Sequence, residues 1–359
     1  MKTATRTLLA LSAAAVLATP ILAQRGRDER LPRECREEIV RLCGMNRGEL
    51  RNCLREKYTQ LSESCAASIR ERMEAQRGAG EGAGARRGPG MGARAGAGAG
   101  AGAYASAKIS STVVYGDHLR QQVDIYTPDD AVGDAPLVVF IHGGYWRSLD
   151  KSDHSFVAPP LHDMGACVVV VNYALCPGTP NEPVTIPDIA VQMTHALAWV
   201  WQNIAKHGGN PKDVVVAGHS AGGHLAAMLL ACDWKSVDKT IPAHWIQKAL
   251  SISGLYDLTP LRKTPFLQDS LKLTAKHARM ASPALWPRPK KGVLYTVAGG
   301  DESPEFLRHN RLIHQTWGPK TVPVCEALPS LNHFSIVTDL TKQGTRLNAL
   351  MKQLIQVQS

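Results

Sequence analysis

From residue 112 onward, short apolar runs rich in Val and Ile alternate with longer stretches whose apolar residues recur every three or four positions. The short runs predict strands at 112–115, 121–126, 137–141, 168–172, 214–218, 249–253, 293–298 and 322–327. The longer stretches predict helices at 154–164, 186–206, 220–231 and 304–317, and another from 335 onward. Two initial strands followed by strand–helix alternation predict an α/β domain, with a mostly parallel eight-stranded sheet covered by helices on both faces.

The pattern changes before that domain. Lys2 and Arg6 precede an apolar run from Leu8 to Leu17, too short to span a bilayer, and Ala23 offers a small residue at a cleavage point. Residues 1–23 therefore read as a secretory signal, which predicts an exported protein, periplasmic or extracellular; an uncleaved anchor is the alternative. Residues 24–77 alternate Arg and Glu around Ile39, Leu42, Leu50, Leu54 and Leu61, and predict a small helical module. Its cysteines, Cys35, Cys43, Cys53 and Cys65, predict two disulfides, because so small a module cannot build a sufficient core alone. Three pairings are open. No histidine lies among them and the spacing is not of the C-x₂-C kind, so no zinc site is expected. Residues 78–107 are nearly all Gly and Ala and read as a flexible linker, leaving 108–359 for the catalytic domain.

The net charge of +10 raises a nucleic acid or an anionic envelope surface as a partner. Residues 1–107 carry 18 Lys and Arg against 11 Asp and Glu, whereas the rest carries 23 against 20. The excess thus belongs mainly to the N-terminal part, where it suits an anionic envelope surface. Aromatic and basic residues do not interleave in the domain as single-strand binding requires, so no nucleic-acid partner is expected.

The chemistry concentrates at Val214-Val215-Val216-Ala217-Gly218-His219-Ser220-Ala221-Gly222-Gly223-His224-Leu225, where a strand enters Gly-x-Ser-x-Gly and a helix leaves it. This is the form of a nucleophile elbow, with Ser220 as nucleophile. A serine hydroxyl needs a positioned base, which should follow it in the chain after an acid. His224, His277, His309 and His314 fall in helical patterns, while His333 lies in a polar turn after the last strand and is the expected base. Asp301 follows the seventh strand through Gly299-Gly300 and is the expected acid. Asp257, after the preceding strand, is the competitor, and Glu302 is expected to point elsewhere. The backbone amide of Ala221 and those of Gly143 and Gly144 in His142-Gly143-Gly144-Tyr145-Trp146 are expected to form the oxyanion hole, with His142 structural. Tyr145 and Trp146 either line a substrate pocket or pack in the core. Asp150, Asp153 and His154 read as a loop and a helix start, so no metal is expected, and a Cys176–Cys232 disulfide stays open.

These motifs, with Ser253-Gly254-Leu255-Tyr256-Asp257-Leu258, Glu302-Ser303-Pro304-Glu305-Phe306 and Asn332-His333-Phe334, resemble the α/β-hydrolase superfamily. The nearest likeness is to arylformamidases (kynurenine formamidases) and hormone-sensitive-lipase-like carboxylesterases. The resemblance implies an α/β-hydrolase fold, a Ser220–His333–Asp301 triad, no cofactor, and a small ester or aryl formamide as substrate, cleaved through an acyl-enzyme. True N-formylkynurenine hydrolysis and an envelope-binding protein with a vestigial hydrolase domain are the alternatives. Leu31-Pro32-x-x-Cys35 and the later cysteines resemble one repeat of Golgi-type cysteine-rich proteins.

Overall fold

The computed structural model describes residues 32–43, 61–66, 68, 109–128, 131 and 133–356. The chain divides into two units, Met1–Arg94 and Ala95–Ser359. In the first, helix α1 (Arg33–Cys43) is tied to the second described segment by a Cys35–Cys65 disulfide. Ile39 and Leu61 pack beside that bridge, and Glu38 accepts hydrogen bonds from the amide and hydroxyl of Ser62, each at 2.6 Å. Cys53, the side chain of Cys43, the 1–23 leader and the 78–107 linker lie outside the described residues.

In the second unit, strands β1 (Ser111–Val114), β2 (Gln122–Tyr126), β3 (Ala135–Ile141), β4 (Cys167–Val171), β5 (Gly209–His219), β6 (Lys248–Ile252), β7 (Val293–Gly299) and β8 (Val324–Leu328) form one sheet. The order is β1-β2-β4-β3-β5-β6-β7-β8. β1–β2 and β2–β4 pair antiparallel and every later pair is parallel.

Alternate residues along these strands serve opposite faces, and both faces are covered, which is why the strands read as unbroken apolar runs. Val139, Ile141, Val169, Val171 and Val216 pack with α2 (Ile186–Asn203) and α3 (Ala221–Leu230). Val138, Phe140, Val168, Val170, Val215 and Ala217 pack with residues Val157–Leu161 and with α5 (Arg346–Gln356). Helix α4 (Pro304–Trp317) leads from β7 to β8. The α/β-hydrolase topology expected from the motifs is the one present.

Two local expectations are corrected, and one open question is closed. The helix predicted at 154–164 is a 3₁₀ turn, Lys151–Val157, followed by a single short helix, Ala158–His162. Pro159 and Pro160 lack the N–H groups that a continuous helix through this point would use. β5 begins at Gly209 rather than 214, because Gly209 pairs with Ala135 ahead of a register shift. Cys176 and Cys232 are free thiols, as are Cys167 and Cys325.

Candidate active site

β5 ends at His219 and α3 begins at Ala221, so the whole reversal falls on Ser220, at φ 57° and ψ −115°. That conformation is strained for a residue with a side chain. It is held by Ser220 N–H donating to the Ile252 carbonyl at 2.8 Å, and by His224 N–H donating to the Ser220 carbonyl at 3.0 Å. A Cβ on Gly222 would lie 1.9 Å from the Ile141 carbonyl oxygen, so only glycine lets α3 start this close to β3. The amide of Ala221 opens the helix, where the backbone favours negative charge.

The glycine loop after β3 lies directly against the elbow: a Cβ on Gly143 would sit 3.2 Å from the Ser220 Cβ. A polar cluster holds that loop. His142 places Nδ1 2.7 Å from the Gly143 carbonyl oxygen and Nε2 3.0 Å from Asn172 Oδ1, and it stacks on Tyr173 with ring centroids 4.2 Å apart. The Tyr173 hydroxyl donates to the His142 carbonyl at 3.0 Å. Arg120 and Asp150 complete the cluster, donating to Asn172 Oδ1 and accepting from Asn172 Nδ2, each at 2.8 Å. Burial pushes the His142 pKa down to about 3, so the ring is neutral and unsuited to act as a base.

His333 follows β8, and its Nδ1–H donates to Glu302 Oε2 at 2.6 Å. The carboxylate on His333 is thus Glu302, and the expectation of Asp301 is corrected. The Glu302 side chain is wholly buried; its Oε1 accepts from the Gly299 amide at 2.7 Å and from Ser253 Oγ at 2.5 Å. Asp301 is exposed. The reason is the turn after β7, in which Gly300 N–H and Asp301 N–H still bond to the end of β8 at Leu328 and to its exit loop at Leu331. The chain folds back only at Glu302, whose N–H returns to the Gly299 carbonyl at 3.2 Å. Glutamate's extra methylene then spans the distance to the imidazole.

His219, the residue before Ser220, joins the two halves of the site. Its Nε2–H donates to the His333 carbonyl at 2.8 Å, and the two rings lie 4.6 Å apart. Phe306 covers His333 at 4.3 Å and Phe334 stands beside it, largely exposed. Three of the other candidate histidines have structural partners. His224 Nε2 donates to the Ala281 carbonyl at 2.7 Å, His309 pairs with Glu305, and His314 bonds to the Val322 carbonyl. Asp257 accepts from Thr259 N–H at 2.9 Å, a turn carboxylate.

Trp146 is fully buried, edge-on to His224 at 4.9 Å, and so belongs to the core. Tyr145 stays half-buried, edge-on to Phe266 at 5.8 Å. Burial first, and then the nearby Glu302 carboxylate, push its hydroxyl pKa up.

A family model described as BD-FAE matches residues 123–280. The kynurenine formamidase of Danio rerio is 32% identical over 251 residues, 68% of this chain and 80% of the relative. That of Salmo salar is 33% identical over 253 residues, 68% of this chain and 81% of the relative. The chain belongs to the esterase/formamidase branch of the α/β-hydrolases. Among solved structures, a putative thioesterase from Silicibacter sp. TM1040 aligns with a TM-score of 0.57 at 28% identity, over 70% of this chain and 86% of its own. Esterase 2 of Thermogutta terrifontis, with a TM-score of 0.52 at 20% identity over 70% of this chain and 92% of its own, shares the fold.

This hydrolase is thus a serine enzyme that cleaves esters or amides. A serine–histidine contact, Ser111 Oγ to His207 Nδ1 at 3.3 Å, sits elsewhere. His207 precedes β5 whereas Ser220 follows it, so the strand's full length separates them. With Thr127 Oγ1 donating to the His207 carbonyl at 2.8 Å, the contact fastens an edge strand to a turn. A cavity of about 290 Å³, lined by Val191, Met193, Leu225, Met228, Cys232 and Trp286, opens on the flank of the elbow helix and includes none of Ser220, Glu302 and His333. Sequence reasoning missed Glu302, Ser253 and His219. Two adjacent carboxylates after Gly-Gly look alike in one dimension, and only the folded turn separates them.

Proposed function

We propose that Ser220, His333 and Glu302 act as the catalytic triad and that the substrate is a short-acyl aryl compound, best an aryl formamide. The observation that carries the triad is the chain of contacts from the Glu302 carboxylate to the His333 imidazole, and from His333 through His219 to the elbow. Ser220 Oγ attacks the carbonyl carbon while His333 Nε2 takes its proton. Glu302 holds the imidazole tautomer through Nδ1 and stabilises the cation that forms. The amides of Ala221 and of the Gly143–Gly144 loop receive the oxyanion. Collapse breaks the acyl C–N or C–O bond, and His333 returns the proton to the leaving amine or alcohol. A water, deprotonated by His333, then attacks the acyl-enzyme, releasing the acid and freeing Ser220.

Support for an aromatic leaving group comes from the relatives named as kynurenine formamidases, from Phe306 and Phe334 against His333, and from Tyr145 with Phe266 beside the glycine loop. The reading is tested on a panel of N-formyl aryl amines and aryl and alkyl esters of increasing acyl length. Formyl and acetyl aryl substrates should turn over fastest, and Ser220→Ala should remove at least about a thousandfold of kcat. Comparable activity in Ser220→Ala refutes the triad, and a clear preference for long-chain alkyl esters refutes the substrate. Export follows from the 1–23 leader as part of the same proposal, and N-terminal sequencing of fractionated protein should begin after Ala23.

A further inference from the structure

We propose that His219 is a positioning residue for catalysis, one that fixes the base in place relative to the nucleophile; this rests on the triad reading above. Ser220 and His333 are delivered by different parts of the sheet. One follows β5 and the other follows β8, with β6 and β7 between them. Their relative placement therefore depends on whatever ties the β8 exit loop to the elbow. Glu302 sets the rotation of the His333 ring by holding Nδ1, but Glu302 comes from the β7 exit and not from the elbow.

His219 supplies the missing tie. It is the last residue of β5, in register with Ile252, and the next residue in the chain is the nucleophile. Its Nε2 meets the main-chain carbonyl of His333 at 2.8 Å. A carbonyl oxygen only accepts, so His219 must present Nε2–H, and the tautomer is fixed by geometry. Its ring packs against the His333 ring at 4.6 Å, with an interplanar angle of 42°. Its Nδ1 edge approaches the glycine loop, where a Cβ on Gly143 would lie 3.3 Å from His219 Nδ1. One side chain thus touches the base, the nucleophile's own turn and the oxyanion loop.

Neutrality matters because His333 becomes a cation in the transition state, and a second cation against its ring would oppose that charge. The His219 ring is buried, 5% exposed, which disfavours its charged form. Proximity to His333 and His154 pushes in the same direction. The position thus accepts a residue that donates one hydrogen bond and carries no charge. Phenylalanine keeps the ring and removes the donor, whereas glutamine removes the ring and keeps a neutral donor.

The test compares purified full-length wild type, His219→Phe, His219→Met, His219→Gln and Ser220→Ala, with active sites counted by end-point labelling with a fluorophosphonate. Per labelled site, His219→Phe should lose about 10- to 100-fold in kcat, the scale of a misplaced catalytic group, with KM changed by less than about threefold. His219→Gln should recover most of that loss. If the phenylalanine variant does not fold, His219→Met carries the same contrast with glutamine. A donor-free variant within about twofold of wild type in kcat overturns the inference, as does an equal loss in the glutamine and donor-free variants. Ser220→Ala separates the two levels. If it stays active, the triad reading falls and the inference with it; if it is inactive while His219→Phe matches wild type, only the inference falls.

Discussion

The choice between two neighbouring carboxylates, Asp301 and Glu302, decides what the His333 imidazole can do. Glu302 is buried, with one oxygen on His333 and the other on the Gly299 amide and Ser253 hydroxyl, while Asp301 faces solvent. Replacing the buried carboxylate by an amide leaves a hydrogen-bonding group that cannot stabilise imidazolium and that allows the wrong tautomer. Glu302→Gln should therefore lower kcat by about a thousandfold or more, on the scale of comparable triad substitutions, whereas Asp301→Asn should stay within about threefold. Steady-state kinetics of the two variants side by side checks this, and the reverse order would reassign the acid. Ser253, at φ 52°, is strained and aims its hydroxyl at Glu302. Such a side chain is invisible to pattern reading, because serine before glycine at a strand end is ordinary turn chemistry.

At the scale of elements, the site depends on how closely α3 approaches β3. The elbow was legible because β-branched residues run directly into Gly-x-Ser-x-Gly and a helical pattern runs out. The reason for the second glycine emerges only in three dimensions, where the Ile141 and His142 carbonyls occupy the space its Cβ would need. Gly222→Ala must push α3 away from β3, at a cost of about 2 kcal/mol or more, the range of overpacked cores. For a domain of this size that is a fall of roughly 4–8 °C in Tm, measurable by differential scanning calorimetry, and an unchanged Tm would contradict the packing. Pattern reading found all eight strands to within a few residues. It missed the two short helices between β6 and β7, Pro265–Leu271 and Ala275–Met280, which are too short to show a clear period.

Across the whole molecule, several histidines are buried and neutral. Burial lowers the His142 pKa to about 3 and those of His154 and His224 to about 4, from the usual 6.5. Because the unfolded chain binds these protons more tightly than the folded one, their contribution to stability is complete above pH 6.5 and is lost as pH falls toward 4. The Tm should therefore hold steady above neutrality and drop through that window. His154 lies between Phe140 and Phe156 with its Nδ1 unpartnered, so His154→Phe should reduce the slope without harming the fold. Calorimetry across pH 4–8 on both proteins decides it; identical slopes would mean that His154 is not among the groups responsible.

The sequence by itself determined the α/β class, the eight-stranded sheet, the elbow at Ser220, the glycine loop at Gly143 and Gly144, and His333 as the histidine in the turn after the last strand. Each is a local matter, since period, turn chemistry and chain order are written in neighbouring residues. The tertiary structure alone decided which carboxylate meets His333, that Trp146 packs inside while Tyr145 remains at the surface, and that His219 bonds to the loop of His333. Those outcomes depend on where strands three places apart in the sheet bring their exit loops, and no spacing along the chain encodes that distance.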